Sequence, residues 1–233
     1  MKLVLLPGMD GTGELFASFV EALPKSFKPV IVRYPTERFL SYLELEELVR
    51  AACPASEPFM LVAESFSTPV AITLAAKKPP NLRGLILCAG FSSSPLRGWQ
   101  RSLASLLAPI LFHMYPPDWA VRLLLVGSDA PTSLLRALRR SLASVQPSVL
   151  AARLRTSLAC DVSEELSRIG MPILYIQATR DRMLGPRCLE EIRKIKPQVT
   201  VTALDSPHLL LQREPRRAVE IIGGWANSQA ILS

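Results

Sequence analysis

The chain has 233 residues, 49% of them apolar and 20% charged, which fits one packed domain and excludes a disordered or fibrous protein. Its formal charge is +7, but no dense basic stripe with interleaved aromatics is present, so nucleic acid is not an expected partner. Cys53, Cys88, Cys160 and Cys188 lack the paired short spacing of zinc or redox sites and are expected as reduced thiols in a cytoplasmic protein.

The first element in chain order is KLVLL (2–6). Pro7-Gly8 and Asp10 interrupt this apolar run before a secretory core is complete, so it reads as a buried first strand. GELFASFVEAL (13–23) is helical, PVIVRY (29–34) a strand, SYLELEELVRAA (41–52) a helix and FMLVA (59–63) a third strand. TPVAITLAAKK (68–78) and LRGLILCA (82–89) follow as helix and strand, and after residue 157 come PILYIQA (172–178), PRCLEEIRKI (186–195), VTVTAL (199–204) and PRRAVEIIGGWA (215–226). The strands are nearly continuous apolar runs, as in a parallel sheet covered on both faces. Their alternation with helices predicts an open α/β sheet.

Residues 91–157 break that rhythm, with helical patterns only, divided by Pro109, Pro116-Pro117, Pro131 and Pro147. Such a segment is too long for a plain connection and is expected to be a helical lid inserted into a core made of 1–90 and 158–233. Its most apolar stretch, 103–112, is too short to span a bilayer, so no integral membrane segment is expected. Arg97, Arg101, Arg122, Arg136, Arg139, Arg140, Arg153 and Arg155 face only Asp118 and Asp129 here, so nearly all the excess charge belongs to this segment.

LVAESFSTPVAI (61–72) turns from strand to helix without a glycine. Thr68-Pro69 opens the helix, since proline is tolerated in a first turn whose N–H groups lack partners. Ser65 then sits on the turn at the carboxyl end of a central strand, where open α/β sheets place ligands. Ala63 and Ser67 supply the small flanking residues that such a tight turn needs. Taken alone, Ser65 reads equally as a helix cap.

A serine nucleophile needs a base, and the chain has two histidines, His113 and His208. His208 follows the last strand in LDSPHLLLQREP, and Asp181 lies just past the fifth strand in PILYIQATRDRML. Each of Ser65, Asp181 and His208 therefore lies beyond the carboxyl end of a different strand. Asp205, in the same loop as His208, is the rival acid. His113, between Phe112 and Met114, is expected to pack in the lid or line a pocket.

With these residues in that order, the chain resembles the α/β-hydrolase superfamily along its whole length. Within it, the chain resembles small lid-bearing serine carboxylesterases, among them those cleaving pimeloyl methyl ester on acyl carrier protein. LLPGMDGTG (5–13) is similar to the LPGxDGxG element of phytyl ester synthase-like proteins. The resemblance implies a mostly parallel six-stranded sheet that begins at the family's third strand. It also implies an oxyanion hole made by the backbone N–H groups of Met9 and Phe66. The family's usual His-Gly is here Pro7-Gly8, which leaves Asp10 or Thr12 to brace that loop.

The expected activity is hydrolysis of a small-molecule carboxylic ester with an apolar acyl chain, through an acyl-enzyme on Ser65 and with no metal or cofactor. A thioesterase or acyltransferase with the same triad is the enzymatic alternative, and a non-catalytic binding protein on the same fold the other. Dehalogenases and epoxide hydrolases of the family carry Asp at the nucleophile position. The lid arginines read as ordinary exposed residues or as a docking surface for an acidic carrier protein or anionic head group. A basic, Leu-rich lid also suits an interfacial membrane contact. Trp99, Leu103, Leu106, Leu107, Ile110, Phe112, Trp119, Leu123 and Leu124 are candidates to line an acyl pocket or to hold the lid together. Asp161 is expected to cap the helix SEELSRI, and Glu44, Glu46 and Glu47 to form a solvated helix face.

Overall fold

The computed structural model describes residues 1–114 and 116–231. Tyr115 in the expected lid and residues 232–233 at the end of the expected core lie outside the described residues. Six strands, β1 (Lys2–Leu6), β2 (Lys28–Ile31), β3 (Phe59–Glu64), β4 (Leu82–Cys88), β5 (Ile173–Ala178) and β6 (Thr200–Leu204), form one sheet. Their order is β2-β1-β3-β4-β5-β6 and every pairing is parallel. The second apolar run is longer than its strand: Tyr34 has left the sheet, and its N–H donates to Gly11 O at 2.8 Å.

Alternate residues of each strand enter two separate cores, which is why the strands read as unbroken apolar runs. Val4, Leu6, Leu61 and Leu85 pack beneath α2 (Tyr42–Ala52), α3 (Thr68–Ala76), α8 (Ser163–Arg168) and α9 (Arg187–Ile195). Leu3, Leu5, Met60 and Ile86 pack on the other face, against α1 (Ala17–Ala22) and α11 (Pro215–Ser228). Glu44 closes a capping box with Ser41 at the start of α2. Glu46 departs from the expected solvated face: it is buried and paired with Lys77 Nζ at 2.5 Å. Asp161 accepts from Ser163 N–H at 3.0 Å, at the entry to α8.

Between β4 and β5 the chain forms α4 (Gly98–His113), α5 (Asp118–Val121), a π-helical turn (Arg122–Val126), α6 (Thr132–Ala143) and α7 (Pro147–Ala159). Pro109 does not divide the first of these helices as its chemistry suggests. A proline cannot donate to the carbonyl four residues earlier, and here Arg155 of α7 donates from Nε to that carbonyl, Ser105 O, at 3.0 Å. A neighbouring helix thus replaces the missing hydrogen bond. No helix among the described residues is long and apolar enough to cross a membrane.

The chain order reverses between β1 and β3, which are neighbours in the sheet although β2 lies between them in sequence. Loops leaving the carboxyl ends of two such strands diverge and open a crevice. The loops after β1 and β3 carry Met9 and Ser65, and those after β5 and β6 carry Asp181 and His208.

Candidate active site

Ser65 follows β3 directly and begins a 3₁₀ turn, Ser65–Ser67, that runs into α3. Its φ is 47°, a left-handed conformation that L-residues adopt at a cost. The neighbouring backbone leaves no room for bulk, and Ala63 and Ser67 are both fully buried. Ser67 does more than fill a small slot. Its hydroxyl donates to Pro7 O, at the root of the first loop, and so accepts from Tyr34 O–H at 2.6 Å.

His208 Nε2 lies 2.9 Å from Ser65 Oγ, and His208 Nδ1 lies 2.7 Å from Asp181 Oδ2. A carboxylate oxygen only accepts, so the proton sits on Nδ1 and Nε2 is left to accept from the serine hydroxyl. Asp181 is itself held, because its Oδ1 accepts from the N–H groups of Met183 at 2.7 Å and Leu184 at 3.0 Å. The structure thus brings Ser65, His208 and Asp181 into one row. It keeps Asp205 out of that row: this residue is exposed and paired with Arg180 Nε at 2.8 Å. His113 is also elsewhere, on the solvent side of α4 with Nδ1 2.8 Å from Pro109 O, so it neither lines the pocket nor packs in the insertion. The turn that hides Phe112 necessarily turns its neighbour outward.

The Met9 and Phe66 N–H groups have no acceptor among the described residues. The loop that carries Met9 is braced by polar groups. Asp10 Oδ2 accepts from Thr12 N–H at 3.0 Å, Thr12 Oγ1 at 2.6 Å and Ser141 Oγ of α6 at 2.8 Å. Arg153 of α7, only 1% exposed, donates to Met9 O at 2.9 Å, Asp10 O at 2.8 Å and Pro35 O at 2.8 Å. Gly11 is required where the guanidinium passes, since its φ is 74° and a Cβ there would lie 2.6 Å from Arg153 Nη1.

Comparison with known proteins places this geometry in a family of folds. No family model matches the chain. A thermophilic esterase from Thermogutta terrifontis superposes with a TM-score of 0.82 at 17% identity, over 98% of this chain and 90% of that one. This is the α/β-hydrolase fold. In sequence, the chain is 24% identical over 250 aligned positions to pyrrolizixenacetamide deacetylase of Xenorhabdus hominickii, covering 98% of this chain and 92% of that protein. It is also 34% identical over 122 residues to the chloroplastic phytyl ester synthase 1 of Arabidopsis thaliana, covering 50% of this chain but 16% of that protein.

On this α/β-hydrolase fold Ser65, His208 and Met9 open onto a cavity of about 190 Å³. Most of its wall comes from the helical insertion, with Leu111, Phe112, Leu124, Leu138, Leu142 and Leu154 among the contributors. Of the nine apolar candidates for lining a pocket or holding the lid together, Phe112 and Leu124 reach the cavity. Trp99, Leu103, Leu106, Leu107, Ile110, Trp119 and Leu123 are exposed instead. The reason is that the side of α4 facing α7 carries the fully buried Ala108 and, near its end, Phe112, which leaves most of the other large residues pointing outward.

Arg153, Glu64 and Gln212 are components that sequence reasoning missed. Glu64 precedes the elbow serine and is 2% exposed, with Oε2 accepting from Gln212 Nε2 at 3.1 Å. Burial raises its pKa from 4.5 to about 7, against smaller opposing effects of Gln212 and His208. Among the described residues, no cluster of His, Cys, Asp or Glu is arranged to hold a metal ion.

Proposed function

We propose that the chain is a serine hydrolase that cleaves carboxylic esters with an apolar acyl group. The observation that carries this reading is the hydrogen-bonded row Ser65–His208–Asp181, with the serine on a strained turn at the mouth of an apolar cavity. Ser65 Oγ attacks the ester carbonyl while His208 Nε2 takes its proton, and Asp181 holds the tautomer and the imidazolium that forms. The carbonyl oxygen becomes an oxyanion that accepts from the Met9 and Phe66 N–H groups, each contributing on the order of 3 kcal/mol to lowering the barrier. His208 then protonates the leaving alcohol. A water molecule, deprotonated by the same imidazole, releases the acid from the acyl-enzyme.

The similarity to a deacetylase and an ester synthase supports acyl chemistry, and one structural feature favours a second acceptor. The cavity walls are almost wholly apolar side chains, so an apolar alcohol is held near the acyl-enzyme more readily than water. Acyl transfer to such an alcohol is therefore the companion reading. p-Nitrophenyl esters of increasing chain length test both, with and without long-chain alcohols. Wild type should turn them over and Ser65→Ala should lose about 10⁴-fold or more in kcat. Mass spectrometry should find a fluorophosphonate adduct on Ser65. Absence of both turnover and adduct would leave a binding protein on a hydrolase fold.

A further inference from the structure

Helix α4 presents most of its large side chains to solvent, with Ala108 and Phe112 turned to the protein. At 3.6 residues per turn, Trp99, Leu103, Leu106, Leu107, Ile110 and Met114 fall in one sector roughly 100° wide. Their exposures run from 43% at Leu107 to 76% at Met114. Ala108, fully buried, and Ser105, whose carbonyl meets Arg155 of α7, mark the opposite side. Ten of the thirteen exposed large apolar side chains among the described residues lie between Trp99 and Leu124. That concentration separates this face from the scattered apolar residues of ordinary surfaces and marks an interaction site.

Charge identifies the occupant. Of the insertion's arginines, Arg153 is buried on backbone carbonyls, Arg97 pairs with Glu191 and Arg139 with Asp118. Arg136 and Arg140 are exposed and pair with no acidic side chain among the described residues. Arg136 and Arg140 share a surface depression with Asp118, beside the exposed Trp119. An exposed apolar helix side, with a second exposed tryptophan beside guanidinium groups that lack an acidic pair, matches the boundary between anionic head groups and acyl chains. An acidic carrier protein would answer the arginines but would offer little apolar surface to cover the large side chains of α4. The face also continues into the cavity: Leu111 and Leu124 are both exposed and both line it.

We propose that the α4–α5 face docks on the surface of an anionic lipid bilayer, with the cavity mouth turned toward the acyl chains. Docking rests on this surface alone. Its catalytic meaning rests on the esterase reading: the substrates are lipophilic esters drawn from the membrane without crossing water.

The test uses the full chain carrying Ser65→Ala and unilamellar vesicles of phosphatidylcholine with or without phosphatidylglycerol, at low salt. Trp99 and Trp119 are exposed while Trp225 is buried, so changes in tryptophan emission report on this face. The protein should sediment with the anionic vesicles, shift its emission to the blue and be quenched by lipids brominated in their acyl chains. Leu106→Asp with Ile110→Asp should weaken binding by about tenfold or more. Arg136→Glu with Arg140→Glu should remove the preference for phosphatidylglycerol. The Asp pair, on an otherwise wild-type chain, should retain turnover of soluble p-nitrophenyl butyrate. No binding to anionic vesicles, or binding that the Asp pair leaves intact, would overturn the proposal. So would a concentration-dependent dimer through this face, or capture by an acyl carrier protein, without vesicle affinity. Because soluble-ester turnover is read separately on wild type, failure of docking and failure of the esterase reading are distinguishable.

Discussion

The sheet with its flanking helices and the helical insertion obey different relations between residue type and burial. Around the sheet, large apolar residues are buried on two faces and the helices turn their polar sides outward. In the insertion the relation is partly inverted: α4 exposes Trp99, Leu106 and Ile110, while an arginine on α7 is among the most deeply buried side chains of the chain. The contrast shows that apolar periodicity reveals a helix without revealing which of its sides meets the protein. That choice belongs to the partner surface, and here α7 takes Ala108 and Phe112 from α4 and leaves most of its other large residues outside.

The largest expected effect probes the sheet region. Asp181→Asn should lower kcat on a soluble ester by about 10³–10⁴-fold with little change in thermal unfolding, because the amide favours the wrong imidazole tautomer. A fall below tenfold would mean that the strand-end row is not the working unit. Arg153→Ala probes the dependence of one region on the other. Three backbone carbonyls would lose their donor, which should cost about 3 kcal/mol of stability in denaturant titration. If the arginine positions the Met9 N–H, kcat should also fall by about tenfold while KM changes little, and binding of a tetrahedral trifluoromethyl ketone should weaken in parallel. A purely structural arginine would move stability alone.

Glu64→Gln addresses a buried acid beside Ser65. Below pH 4.5 the carboxyl is neutral both folded and unfolded; as pH rises to about 7 the unfolded chain ionises first, so the native state loses stability across that window. The loss is on the order of 3 kcal/mol. The Gln variant should lack this descending slope, measured as unfolding free energy against pH. The smallest effect is expected at Asp205→Asn, with activity within about twofold and stability within about 0.5 kcal/mol, since its contacts, with Arg180 and Thr179, lie at the exposed surface. A large loss of activity there would make it, and not Asp181, the acid that matters.

The strands were legible because residues covered on both faces leave continuous apolar runs, as in FMLVA and ILYIQA. Ser65, Asp181 and His208 were legible as candidates because each follows a strand end closely, so that topology alone brings the loops together. Arg153 was not, since one arginine among eight in a helical segment carries no mark of burial; the small Ser157 one turn later is the faint trace it leaves. Glu46 and Glu64 were hidden for a similar reason, because charge in a sequence suggests solvent. Seven of the candidates for lining a pocket or holding the lid together are exposed because hydrophobicity alone does not say which side of a helix meets the protein.

The guanidinium of Arg153 also has a mechanical consequence. Swinging the whole insertion away from the sheet would strip a buried charge of all three carbonyl acceptors at once, which makes a hinged-flap motion costly. The outer layer is tied less directly at α4: beside Leu124, Leu209 N–H donates to Leu125 O at 3.0 Å and Arg213 pairs with Asp129 at 2.7 Å, whereas α4, with Leu111 at the opening, is held through Arg155 of α7. Entry of a bulky molecule therefore falls to small displacements of α4 over a fixed inner wall, as a shutter slides across a rigid frame.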